Sequence, residues 1–266
     1  MSTHRYLFAD SATMLRRNLR RMRRYPSLTF FNAAIPIVLL LLFVYVLGAT
    51  LGAGLAGPSG GRADYVAYVT PGILLVTIAG AAIGTAISVA MDMTEGIIAR
   101  FRTMAVTRAS VLIGHVLGSV IQTMLALALV VVVAVLVGFR PTTGPAEWLA
   151  AAGLVVLTTF AVTWLSVALG MVSTSVETAS NLPMPLMLLP FFGSGFVPTG
   201  SMPDVLRWFA EIQPFTPIIE TLRGLLLGSP IGNSAILAVG WCVAISVLGY
   251  AWATRLYQRH PVSAAG

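Results

Sequence analysis

Few side chains in this sequence could do chemistry, and their placement restricts what that chemistry is. A proton relay through a membrane needs ionisable groups at depth, and such groups are functional by default. The long apolar stretches offer only Asp92 and Glu177 at their ends, His115 near the start of one, and Gln122 deeper in the same one. One shallow histidine is a poor relay, so His115 reads as an interfacial or packed residue. No HExxH, no Ser/His/Asp set and no paired carboxylates occur at depth, which counts against a membrane enzyme. The single Cys242 excludes a disulfide framework and a cysteine metal cluster. It lies in an apolar run and reads as a packed thiol. There is no lysine, and all 16 basic residues are arginine. A Walker A phosphate loop needs lysine to reach the terminal phosphates, so no P-loop ATPase is encoded here.

The elements that must position these groups follow from composition. Of 266 residues, 57% are hydrophobic and only 9% charged, with a mean hydropathy of +0.89. A soluble domain carries roughly 25% charged residues, so this chain belongs in lipid. The net charge of +7 then suits lipid headgroups better than nucleic acid, and no nucleic-acid partner is expected.

A membrane-spanning helix takes about 20 apolar residues. Six stretches are read as spans: about 28–52, 65–91, 110–138, 148–172, 182–197 and 235–254. The apolar run of the first exceeds that of a signal peptide, so it is expected to be retained. The fifth is short and interrupted by Pro183, Pro185 and Pro190, with Gly193 and Gly195 and Pro198 at its end. Backbone freed by proline survives at membrane depth only where protein or a cavity covers it, so this stretch is either a pathway wall or a kinked packing helix. Twelve of the sixteen arginines fall before the first span, between the second and third, or after the sixth. The positive-inside rule places those segments, and both termini, in the cytoplasm.

Two cytoplasmic segments carry helical patterns. Phe8, Ala12, Leu15, Leu19 and Met22 form one apolar stripe among arginines, ended by Pro26. It predicts an N-terminal amphipathic helix on the inner leaflet, or a basic arm that only sets topology. Between the second and third spans, Ile97, Ile98, Phe101, Met104 and Ala105 recur at helical spacing beside Arg100, Arg102 and Arg108. Such a helix fits a partner's groove and fits a lipid surface equally.

This last segment, Asp92 to His115, resembles the coupling helix of permeases of the type-2 ABC exporter family, of the daunorubicin-resistance kind. The match lies in Asp92, Gly96, Arg100-Phe101-Arg102, Arg108, Leu112 and Gly114. Ala105 departs where that family often has proline, and His115 where arginine is common. A second stretch is similar to the family's segment between spans five and six. It matches at Phe196, Pro198, Met202, Pro203, Trp208, Phe209, Pro214, Thr216, Arg223, Leu225 and Gly228. Pro203 is placed to open a helix whose apolar face holds Val205, Phe209 and Ile212, with Trp208 beside them.

The resemblance implies an all-α integral membrane permease, a single domain over 1–266. Residues 1–26 would form the interfacial helix, 28–254 a six-helix bundle and 255–266 a cytoplasmic tail. Re-entrant-like extracellular helices would lie between spans five and six. It implies export of an amphiphilic drug, secondary metabolite or lipid across the cytoplasmic membrane. No cofactor is expected on this chain; ATP and Mg would sit on a separate cytoplasmic ABC ATPase. A second permease copy, identical or similar, would complete the bundle. The expected coupling residues are Asp92, Glu95, Gly96, Arg100, Phe101, Arg102, Met104 and Arg108. The expected cavity lining is Phe31, Tyr45, Thr77, Met187, Phe191 and Phe192, although each suits a lipid-facing or packing position as well. The expected extracellular gate is Pro198, Pro203, Trp208, Phe209, Pro214 and Arg223. The rivals are an ion-coupled secondary drug transporter and a non-transporting membrane scaffold.

Overall fold

The computed structural model describes residues 26–56, 61–94 and 108–259. Among them, every regular element is helical. The N-terminal stripe lies outside the described residues. Helix α1 (Pro26–Leu42) runs through a π-helical turn, Phe43–Leu47, into α2 (Gly48–Ala56). Then come α3 (Arg62–Thr94), α4 (Arg108–Val137) and α5 (Pro145–Val172). Short helices α6 (Val176–Asn181) and α7 (Met184–Leu188) lead to a 3-10 turn at Thr199–Ser201. Helices α8 (Asp204–Ile212), α9 (Phe215–Leu227) and α10 (Ser234–Arg259) follow.

Five helical stretches are long and apolar enough to cross a membrane: Asn32–Leu55, Arg62–Thr94, Leu112–Val137, Pro145–Val172 and Ser234–Tyr257. They coincide with the expected first, second, third, fourth and sixth spans, most with somewhat longer ends. The expected fifth is not one helix. Its residues make a turn at Leu182 and Pro183 just after α6, then all of α7, and then turns from Leu189 to Phe196.

Helix α3 is the hub. Every residue from Val69 to Ala79 is buried, and α3 touches α1, α2, α4, α5, α6, α7 and α9. A helix buried on all sides needs no polar face, so its sequence carries no clear stripe. Buried threonine hydroxyls of α3 and α5 are satisfied within their own helices. Thr70, Thr77, Thr158, Thr159 and Thr163 each donate to the carbonyl four residues earlier at 2.6–2.8 Å. In lipid, where no water competes, this removes the cost of the polar atom. The most extensive helix pair is α5 with α10. There Gly249 lies so close to α5 that a Cβ would stand 2.8 Å from the Leu165 nitrogen. Small residues allow this approach, which replaces the hydrophobic drive that lipid does not supply.

Two apolar clusters mark the two ends of the bundle. The larger contains Tyr65, Phe139, Phe196, Phe215, Ile219 and Leu222. The smaller contains Val89, Leu112, Val116, Trp164, Met171 and Tyr257. The α4–α5 loop belongs to the first end: Thr142 N donates to Leu226 O at 3.2 Å and Thr143 Oγ1 to Leu225 O at 2.7 Å. These bonds serve carbonyls left open at the end of α9, where Gly228 takes the left-handed φ of +74°.

Candidate functional site

The broken stretch is the most unusual element, and the backbone it frees is served by side chains from three directions. Proline removes the N–H at Pro183, Pro185 and Pro190. Gln213 Nε2, just after α8, donates to Leu189 O at 3.0 Å and contacts Thr216 Oγ1 at 3.2 Å. Arg223 Nη2, from α9, donates to Ser194 O at 2.7 Å. Tyr65 Oη, from the start of α3, reaches Phe196 O at 3.3 Å. Gly72 on α3 admits the turn itself, because a Cβ there would stand 2.6 Å from Gly195 O.

Arg223 is the one cation in this network. Its guanidinium carbon lies 3.9 Å from the centroid of the Tyr68 ring, and Nη2 also reaches Tyr68 O at 3.3 Å. The planar guanidinium can stack on the ring face while one nitrogen, Nη2, makes both carbonyl bonds. Burial lowers its hold on its proton, while Tyr68 and Glu220 oppose that shift; an arginine so placed stays charged at neutral pH. Glu220 accepts from Ser234 Oγ at 2.9 Å, tying α9 to the start of α10.

Aromatic rings gather beside the break. Phe191 stacks on Phe196 with centroids 4.4 Å apart. Phe43, in the π-turn, tilts against Phe196 at 4.7 Å and against Phe191 at 6.5 Å. Phe192 meets Phe209 of α8 edge-on at 6.4 Å. Of the expected cavity residues, Phe191 and Met187 are half-buried and Phe192 is exposed. Tyr45 is exposed, with Arg62 over its ring at 4.8 Å, apart from the phenylalanine cluster. Thr77 is buried within α3, its hydroxyl turned onto Ile73 O. The side chain of Phe31 lies outside the described residues. Among the expected gate residues, Pro203 precedes α8 and Pro214 precedes α9. Pro198 and Phe209 are exposed, and Trp208 is 66% exposed beside Val205 at 84%. The apolar face of α8 thus points away from the protein.

At the other end of the bundle, Asp92 closes α3 and meets His115 of α4. Their Oδ2 and Nε2 atoms are 2.9 Å apart, with the side chains 10% and 8% exposed. His115 is therefore packed, as its isolation in the sequence suggested. The remaining expected coupling residues, Glu95, Gly96, Arg100, Phe101, Arg102 and Met104, lie outside the described residues. Arg108 begins α4, with its side chain likewise outside them. No group of three or more metal-ligating side chains occurs among the described residues.

Sequence reasoning missed Gln213, Tyr65, Tyr68 and Phe43. Gln213 alone carried a signal: it is an uncharged amide in the junction between an amphipathic helix and Pro214. The tyrosines and Phe43 look like ordinary apolar-span residues until the fold brings the break beside them.

The chain is 27% identical over 225 residues to the daunorubicin resistance ABC transporter permease protein DrrB1 of Streptomyces coeruleorubidus, covering 83% of this chain and 77% of that one. It is 27% identical over 219 residues to the probable doxorubicin resistance ABC transporter permease protein DrrC of Mycobacterium tuberculosis (strain CDC 1551 / Oshkosh), covering 80% and 76%. The profile described as ABC-2 type transporter matches residues 11–227, the span that holds the broken stretch and both sets of its side-chain partners, and the chain belongs to that family.

Proposed function

We propose that this chain is the membrane-spanning subunit of an ATP-driven exporter. It moves an amphiphilic drug, secondary metabolite or lipid outward across the cytoplasmic membrane. The observation that carries the reading is the family match over most of the chain, joined to relatives named for resistance to daunorubicin and doxorubicin. Energy comes from a separate cytoplasmic ABC ATPase, which holds the ATP and Mg; the lack of any lysine supports this division of labour. Two permease copies, identical or similar, enclose the pathway, and both termini face the cytoplasm. The N-terminal stripe lies on the inner leaflet, and the whole chain acts as one domain.

In this reading the broken stretch is the fifth of six crossings. The chain leaves α5 beside Met171 and returns at Ser234 beside Glu220. Residues 173–197 therefore carry it between the two ends. ATP binding pushes the segment that contains Asp92, Glu95, Gly96, Arg100, Phe101, Arg102, Met104 and Arg108. The two bundles respond by changing the shape of a cavity lined by Phe31, Tyr45, Thr77, Met187, Phe191 and Phe192. Pro198, Pro203, Trp208, Phe209, Pro214 and Arg223 close its outer end. Such switching needs only different affinities in two states, and no chemistry in the permease.

The test is reconstitution with a candidate partner ABC ATPase, using doxorubicin as the probe because a relative is named for resistance to it. ATP-dependent movement that survives collapse of the proton gradient is expected. Loss of movement on collapse, with ATP held constant, would favour the ion-coupled rival. No dependence on this chain would favour the scaffold. ATP hydrolysis by the purified chain alone would overturn the separate ATPase. With Phe101→Ala and Arg102→Ala together, co-purification of the ATPase should fall; unchanged recovery and hydrolysis would remove the coupling segment from that place.

A further inference from the structure

Asp92 and His115 stand at the two edges of the segment 95–107, one in the last turn of α3 and the other early in α4. His115 lies about 10 Å along α4 from Arg108, at 1.5 Å per residue. The contact between Nε2 and Oδ2 is 2.9 Å, and both side chains are nearly removed from solvent. Beside it, Val89, Leu112, Val116, Trp164, Met171 and Tyr257 join α3, α4, α5 and α10 into one cluster.

Apolar packing alone tolerates sliding of one helix along another. A short bond between a ring nitrogen and a carboxylate is directional, and it fixes relative height as well as distance. Buried pairs of this kind add little net stability, and their best-attested use is to specify register. Burial also denies either partner an alternative in water.

We infer that the Asp92–His115 pair is a positioning clamp that makes the ends of α3 and α4 move as one body. Force delivered to the chain between them is then passed to the cluster below instead of being lost in separating the two helix ends. The inference rests on the proposed role of that chain as the place where the ATPase pushes. It adds which residues convert the push into motion of the bundle. Neither side chain touches cargo or nucleotide, so both are positioning residues.

The experiment uses the full permease–ATPase complex in proteoliposomes and reads cargo moved per ATP hydrolysed. The variants Asp92→Leu and His115→Leu, which cannot make the bond, are compared with their double variant and with His115→Arg, which keeps a nitrogen donor facing the carboxylate. Each single variant is expected to lower the ratio roughly two- to thirtyfold, the range typical of residues that carry coupling. The double variant should be no worse than the singles, because they remove one shared interaction. His115→Arg should couple better than His115→Leu. The amount of assembled complex is measured in parallel. Less complex with an unchanged ratio in what remains would overturn the clamp in favour of a purely structural pair. So would summed losses in the double variant, or equal behaviour of His115→Arg and His115→Leu. Absence of ATP-driven movement in the unmodified complex would instead overturn the proposed function, and this inference with it.

Discussion

Arg223 serves two carbonyls and a ring at once, and this is why its type matters more than its charge. Its bond to Ser194 O is short, and the Tyr68 face holds the guanidinium flat. Arg223→Met should lower the stability of the detergent-purified protein by about 1–3 kcal/mol, the range for losing a charge-assisted bond and leaving its partner unmet. Arg223→Lys should recover only part of this, since an ammonium can donate to the carbonyls but does not lie flat on the Tyr68 ring. Thermal unfolding checks both; an unchanged midpoint in Arg223→Met would mean that the break is held by other groups. At this scale the sequence is least legible. Asp92 and His115 are visible as two polar residues among apolar ones, but their contact depends on how α3 meets α4, which no spacing encodes. Thr77 shows the reverse case: its hydroxyl is satisfied by its own helix, a partner that helical spacing alone could name.

Among the elements, the broken stretch and α3 act as a pair. Gly72 leaves room for Gly195, whereas a Cβ at Gly80 would meet nothing within 4 Å. Gly72→Val should therefore destabilise by about 1–3 kcal/mol through overpacking. Gly80→Ala should be neutral or stabilising by up to about 1 kcal/mol through helix propensity. Comparing the two unfolding midpoints tests whether the approach of α3 to the turn is what matters; equal midpoints would refute it. Five of the six expected spans are legible because length and apolarity alone define them. Their ends run over because Arg62, Asp64, Pro145 and Glu147 continue the helices into polar surroundings. The π-turn at Phe43–Leu47 has no sequence signature, since one extra residue in a uniformly apolar helix changes no pattern. The prolines at 183–198 announced a break, but not which donors would serve it.

For the whole molecule, the arginine distribution and the structure's two ends make a joint prediction about orientation. Residues 61–68, 138–144 and 189–228 gather at one end, and Asp92, His115 and Tyr257 at the other. Cys242 is buried, so the parent chain should be nearly silent to a membrane-impermeant thiol reagent. Ser201→Cys should be labelled from outside intact cells, because Ser201 is exposed at the Arg223 end. Ser263→Cys should be labelled only after the membrane is opened. The reverse pattern would invert the topology that the arginines indicate.

The side chains that hold the broken stretch are unequally placed along the chain, and this sets a timetable for biogenesis. Tyr65 and Gly72 are made before the stretch, whereas Gln213 and Arg223 are made after it. When residues 182–197 leave the ribosome, α3 is available as a wall, but Leu189 O and Ser194 O have no donor until α9 has followed. A nascent chain stopped near residue 205 should hold this stretch loosely and be cut by protease. One stopped beyond residue 230 should protect it. The stretch that settles late is then the one whose own backbone depends most on residues not yet translated.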